Sequence, residues 1–145
     1  MMTEKSAGFI LITDDFETDD YCVLLLHYTS GHWDFPKGNI ETNETEVEAA
    51  TRELQEETGI ETIRVIPNFR CVLDYKYTRK TMLISKQVTL FLASTGVRKV
   101  KISHEHIGCS WVKKSDATTQ LTYKNAKNAL KHAINFLEKP SSNIQ

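Results

Sequence analysis

A chain of 145 residues, 40% hydrophobic and 26% charged, has the length of one domain and the composition of an ordinary globular protein that folds in water. Its formal net charge of -1 excludes a basic field able to grip long nucleic acid, so a polyanionic ligand must be met by locally placed Lys or Arg or by a metal ion. Cys22, Cys71 and Cys109 form no CxxC pair, and the chain offers neither a signal-peptide core nor an apolar run of about eighteen residues. It is therefore expected to be cytoplasmic, with reduced thiols and no membrane contact.

In chain order, AGFILIT at 7 to 13 and YCVLLLHY at 21 to 28 predict two buried strands joined by the acidic turn DDFETDD. In SGHWDFPKG, Pro36 and Gly38 predict an irregular loop of specific shape. The helix that follows is expected to be capped by Thr42 or Asn43, to bury a stripe of Val47, Ala50 and Leu54, and to stop at Gly59. IETIRVI, FRCVLDYKY and MLISKQVTLFLAS have strand-like density of β-branched and aromatic residues, and Trp111 and Val112 suggest one more strand. TYKNAKNALKHAINFLEK keeps a helical period through Ala126, Ala129, Leu130, Ala133, Ile134 and Leu137 until Pro140. The order predicts an α/β (α+β) domain over residues 1 to 139, with a mixed central sheet between helices and a loose tail at 140 to 145.

The first helix is crowded with acid. Glu53, Glu56 and Glu57 stand at i, i+3 and i+4, on one face beside the apolar stripe, where like charges repel. A generic Glu-rich helix would simply solvate such a face; a shared cation, Mg²⁺ or Mn²⁺ for hard oxygen ligands, is the other resolution.

The frame decides between them. Gly38, five residues, Glu44, seven residues, Arg52-Glu53-Leu54, any residue, Glu56-Glu57, any residue, Gly59-Ile60 satisfies every defined position of the Nudix box, and the chain thereby resembles the Nudix hydrolases. The resemblance implies an α/β/α sandwich and metal-dependent hydrolysis of a nucleoside diphosphate linked to another moiety. Mg²⁺ is the expected cofactor and Mn²⁺ its substitute. Carried over residue by residue, Glu53, Glu56 and Glu57 become metal ligands with the Gly38 carbonyl, Arg52 pairs with Glu44 to brace the helix, and Glu56 is the first choice of general base.

HWDFPKGNIE before the helix, FRCVLDY after it, and SHEH followed by Trp111 are similar to stretches of the asymmetrical diadenosine tetraphosphate hydrolases, the bis(5'-nucleosyl)-tetraphosphatases. That similarity implies cleavage of diadenosine tetraphosphate to ATP and AMP by water attack on phosphorus. It also implies base stacking on Tyr75 and Tyr123, and nucleotide or phosphate contacts from His32, Lys37 and Lys80. Tyr77, with Arg79, adds a further stacking and charged candidate. Glu105 is an alternative base and His104 a phosphate donor, whereas His104, His106 and Cys109 fit no common zinc spacing. His27 and His132 have no such context and are expected to be structural or exposed. The expected partner is a small dinucleoside polyphosphate bound by a monomer. The alternatives are an RNA 5'-pyrophosphohydrolase, against which the near-neutral charge argues, and a non-catalytic nucleotide-sensing module, which would not need all the box glutamates.

Overall fold

A computed structural model describes residues 2–139, so the expected loose tail and the Pro140 stop lie outside the described residues. Eight strands make a mixed sheet: β1 Met2–Thr13, β2 Cys22–Tyr28, β3 Trp33–Asp34, β4 Lys37–Asn39, β5 Arg64–Val65, β6 Cys71–Arg79, β7 Met82–Thr95 and β8 His106–Lys113. Its centre is a long parallel pairing of β1 with β7, from Met2 opposite Ile84 to Thr13 opposite Thr95. Every other pairing is antiparallel: β2 and β4 on β1, β3 and β8 on β2, β5 and β6 on β7.

Because β1 is covered on both faces, residues 6 to 13 are buried without interruption, which explains why AGFILIT reads as a continuous apolar run. Ile10, Ile12, Val23 and Leu25 face the helix α3, Lys124–Glu138, through Ala126, Ala129, Leu130 and Ala133. Phe9, Leu11, Leu24 and Leu26 face α1, Glu46–Thr58, through Ala49, Ala50 and Leu54. The expected sandwich is thus formed, with one core on each side of the sheet. His27 stacks flat on Trp33 at 4.3 Å and His132 meets Phe69 edge-on, both packing roles.

Three local expectations are corrected, and one helix is added. The Pro36 and Gly38 stretch is not irregular: β3 and β4 flank Pro36, whose carbonyl accepts from the Phe9 amide at 3.2 Å, so the proline sits where no ladder donor is needed. Close approach there requires glycine on β1, since a Cβ on Gly8 would lie 2.3 Å from the Pro36 oxygen.

The cap of α1 is Thr45 rather than Thr42 or Asn43. Asn43 is left-handed, at φ 71°, inside a turn that must finish before the helix begins. Thr45 and Glu48 then form a reciprocal box, with the Glu48 amide donating to Thr45 Oγ1 at 3.1 Å and the Thr45 amide donating to Glu48 Oε1 at 2.9 Å.

Val47 is exposed and the buried face of α1 is instead Ala49, Ala50, Leu54, Glu57 and Thr58, so a carboxylate lies within the packed stripe. A further helix, α2 at Lys114–Gln120, was not signalled because its seven residues bury only Ala117. Gly59 ends α1 as expected, at φ 75°.

Replacing Thr45 by Ala removes one half of the reciprocal cap and is expected to lower stability by about 1 kcal/mol, read as a shifted midpoint at constant slope in urea unfolding.

Candidate active site

The chemistry of the box begins with Arg52. Its guanidinium meets Glu44 through two bonds, Nε to Oε2 at 2.6 Å and Nη2 to Oε1 at 3.1 Å, donates to Glu53 at 2.9 Å and Glu56 at 3.2 Å, and reaches the Asn39 carbonyl at 2.9 Å. One cation therefore answers three glutamates and ties α1 to β4. Glu56 is held to the outer side of the helix, its side chain 59% exposed.

Glu57 is treated differently. Its side chain is 5% exposed, and its Oε1 accepts from the Lys37 amide at 3.2 Å. Burial first, then the charge of Glu53 and a hydrogen bond shared with it, push the Glu57 carboxyl well above the ordinary carboxylate range; the Lys37 amide and ammonium pull it partly back. Two box carboxylates thus crowd one another at the edge of the core. Gly38 makes the crowding possible, for a Cβ there would lie 2.0 Å from the Glu53 carboxyl carbon.

Both carboxylates line one open cleft of about 840 Å³, together with Gly38, Lys37, His32, Tyr75, Tyr77, Glu105 and Tyr123. Within it a chain of contacts leads away from the acids. The Lys37 ammonium lies 5.8 Å from the Tyr28 ring centre, Tyr28 stacks on His32 at 4.7 Å, and His32 meets Tyr123 at 5.3 Å. Tyr123 stands at the start of α3, and the Asn125 side-chain amide donates to the Asp74 carbonyl at 3.1 Å, which brings α3 beside Tyr75 on β6. Burial raises the Tyr75 hydroxyl, with Asp34 and Tyr123 adding to the rise. Tyr77 is held by its hydroxyl, which donates to Glu4 at 2.8 Å, and by Arg79 over its ring at 5.7 Å.

Five sequence-predicted residues are not in the cleft wall: Arg52, which braces the glutamates from outside it; Glu56, turned out to Arg52; His104, exposed in the loop before β8; Arg79, paired with Glu4 at 2.7 Å; and Lys80, left-handed at φ 54° in the β6 to β7 turn. Others join unannounced. Asp34, 5% exposed, faces Lys37 at 3.7 Å, while Lys86 on β7 is half-buried and its ammonium lowered by that burial and by the charge of Lys37. A lysine inside MLISKQVTLFL was the available signal, since a central strand rarely carries one without a use.

A family model described as a NUDIX domain matches residues 2–133. The chain belongs to the Nudix family. This Nudix domain is 35% identical over 120 residues to the asymmetrical bis(5'-nucleosyl)-tetraphosphatase of Mus musculus, with 79% of each chain covered. It is 28% identical over 137 residues to the protein of that name from Caenorhabditis elegans, covering 94% of this chain and 98% of that one. A crystal structure of a C. elegans Ap4A hydrolase binary complex superposes with a TM-score of 0.76 at 28% identity, over 92% of this chain and 97% of that one. Among the described residues no helix is long and apolar enough to cross a membrane.

The donor set of this Nudix domain fits a hard divalent cation. Glu53 and Glu57 offer hard oxygen donors, and the cost of keeping them together is what such a cation would relieve. Among the described residues no three acidic, His or Cys side chains converge on one point, because Arg52 retains Glu56; Mg²⁺ typically takes only one or two carboxylates and fills its shell with water and phosphate oxygens.

The raised Glu57 carboxyl has a definite sign in stability. The folded state binds a proton that the unfolded chain releases in the ordinary carboxylate range, so stability without metal falls as pH rises beyond that range. In chelator the melting temperature should drop between about pH 5 and about pH 8, with Glu57→Gln flattening the drop and Mg²⁺ raising the parent more at the upper pH.

Proposed function

We propose that this Nudix domain hydrolyses dinucleoside polyphosphates, taking diadenosine tetraphosphate to ATP and AMP with Mg²⁺ as cofactor and Mn²⁺ as a substitute. The observation that carries the reading is a run of contacts through one cleft: the Lys37 amide on Glu57, the Lys37 ammonium over Tyr28, Tyr28 stacked on His32 and His32 against Tyr123, with Lys86 opposite Tyr75 in the pairing of β6 with β7. A nucleotide has the same order of parts, from reacting phosphate to base. Relatives named for this activity match over most of their length, which supports the same substrate class.

Glu53 and Glu57, with the Gly38 carbonyl, would hold the cation. When bound it neutralises phosphate charge and increases the acidity of water. The chain's own residues do the rest. Lys37 and Lys86 set ammonium groups against the polyphosphate, and Lys86, partly stripped of water in the cleft, gains more from an anion than a solvated lysine does. Tyr75 and Tyr123 take a base on their ring faces. A water oxygen forms the new bond to phosphorus, the bridging P–O bond breaks, and the departing oxygen stays with ATP or AMP.

The water's proton needs an acceptor in the cleft. Glu105 is there, on the loop before β8, whereas Glu56 faces Arg52 outside it, so Glu105 is the proposed general base and Glu56 a neutraliser of Arg52. His104 and Lys80 are given no substrate contact in this reading.

With diadenosine tetraphosphate and Mg²⁺ the expected products are ATP and AMP in equal amounts; ADP as the only product overturns the asymmetric cut. Glu57→Gln removes a proposed ligand and is expected to cost several kcal/mol of barrier, at least about a hundredfold in kcat, while Glu56→Gln costs far less. Tyr75→Ala should act mainly on KM, by roughly five- to 150-fold for a stacking contact of about 1 to 3 kcal/mol. Triphosphorylated RNA at matched concentration is expected to turn over at least about tenfold more slowly, consistent with the absence of a basic field.

A further inference from the structure

His106 begins β8 with its side chain fully buried, and its Nε2 finds no hydrogen-bond partner among the described residues. A buried ring nitrogen left this way is costly, and an apolar ring would pack there without the cost. The nearest candidate is Glu57: Nε2 stands 3.9 Å from Glu57 Oε1, outside hydrogen-bond range by less than an ångström.

The opposite side of the imidazole faces a hydroxyl. Ser103 Oγ accepts from the Glu105 amide at 3.3 Å and lies 3.0 Å from His106 Nδ1. When that hydroxyl gives its hydrogen to Nδ1, the ring proton lies on Nε2, facing Glu57. The ring is kept from turning away by Tyr28, edge-on at 4.5 Å, whose hydroxyl is anchored to the Phe35 carbonyl at 2.7 Å. The loop itself is fastened to the same glutamate, since the Ser103 amide donates to the Glu57 carbonyl at 3.3 Å. Ser103, His106 and Tyr28 thus form a bracket aimed at one carboxylate oxygen.

We propose that His106 is a positioning residue: its Nε2–H donates to Glu57 Oε1, which with the Lys37 amide occupies that oxygen and leaves Oε2 for the cation. The inference rests on the reading of Glu57 as a metal ligand. It assigns to Ser103 the task of fixing the imidazole tautomer, and to Tyr28 that of fixing its angle. The arrangement is that of a protein donor orienting a metal-binding group from behind, where loss of the donor typically weakens metal affinity by about ten- to a hundredfold.

The test measures Mn²⁺ binding to substrate-free protein by electron paramagnetic resonance, so that turnover plays no part. His106→Phe keeps the bulk and removes the donor; its affinity should fall by about tenfold or more, while its melting temperature in chelator stays level or rises. His106→Gln returns an N–H near the Nε2 position and should restore affinity to within about threefold of the parent, with Ser103→Ala between the two. Nitrogen-15 spectra of the parent's imidazole should show the proton on Nε2 with and without diamagnetic Mg²⁺, an outcome that needs no variant to fold. An Nδ1–H tautomer in the Mg²⁺-loaded protein, parent-like Mn²⁺ affinity in His106→Phe, or equal losses in Phe and Gln variants with lowered melting temperatures would each overturn the proposal. A parent that binds no Mn²⁺ defeats the metal-site reading itself, whereas a parent that binds and a Phe variant that binds equally well defeats only the role of His106.

Discussion

Glu53 and Glu57 repel one another across one turn of α1, and the rest of the site follows from how that repulsion is tolerated. An unpaired carboxylate at the edge of a core is among the least favourable groups a fold can contain. Here it is kept in place by its neighbours on the same helix: Ala50, Leu54 and Thr58 are buried against the sheet, so Glu57 cannot leave without withdrawing the stripe from Phe9, Leu11 and Leu26. Packing on one side forces an electrostatic demand on the other. A proton meets that demand partially, and a divalent cation meets it fully.

The other acids of the helix show why the demand is local. Glu48 closes the cap, Glu46 accepts from Arg70 and Thr89, and Glu44 and Glu56 accept from Arg52. Each is a structural acid answered by a donor, Arg52 serving two of them, which is how so acidic a segment remains a helix. Arg52 also reaches Glu53 at 2.9 Å, so Glu53 is braced while Glu57 faces only an amide, a lysine at longer range and the His106 imidazole. The division depends on rotation about the helix axis. Glu53 and Glu57, four residues apart, fall on the inward side, and Glu56, one residue earlier, turns out to solvent.

Much of this is legible in the sequence itself. The box frame placed the helix, the paired acids, Gly38 and Arg52, and the apolar runs placed the strands, because fully buried strands and an amphipathic helix leave direct marks on a sequence. What remained hidden depends on register and turns. The stripe of α1 holds at Ala50 and Leu54, but Val47 lies in the first turn and stays exposed, while Ala49, Glu57 and Thr58 complete the buried face; the left-handed Asn43 that puts the start at Thr45 leaves no mark on periodicity. Asp34, Tyr28 and Lys86 enter the cleft from β3, β2 and β7, strands whose side chains meet only through the order and register of the sheet. His106 was visible only as part of a histidine-rich tetrapeptide; its exposed neighbour His104 and its own full burial are properties of where β8 begins.

The two ends of the cleft are built with unequal strength, and this bears on how specificity and chemistry are divided. The carboxylate end is fixed by a helix packed on the sheet, by the Gly38 approach on β4 and by the loop tied at Ser103. The ring end is joined more sparingly: Tyr123 precedes α3, and its segment is fastened to β3 by Trp33 and Thr122, which exchange two bonds at 2.8 and 3.2 Å, and to β6 by Asn125. Tyr123 itself remains 46% exposed. In the proposed reading, a small shift at the carboxylates would move ligands that need oxygen geometry, whereas a stacking face would tolerate sliding of the base across it. A firmly packed acid pair with a more open aromatic end would then keep one hydrolytic geometry while the group attached to the phosphates varies.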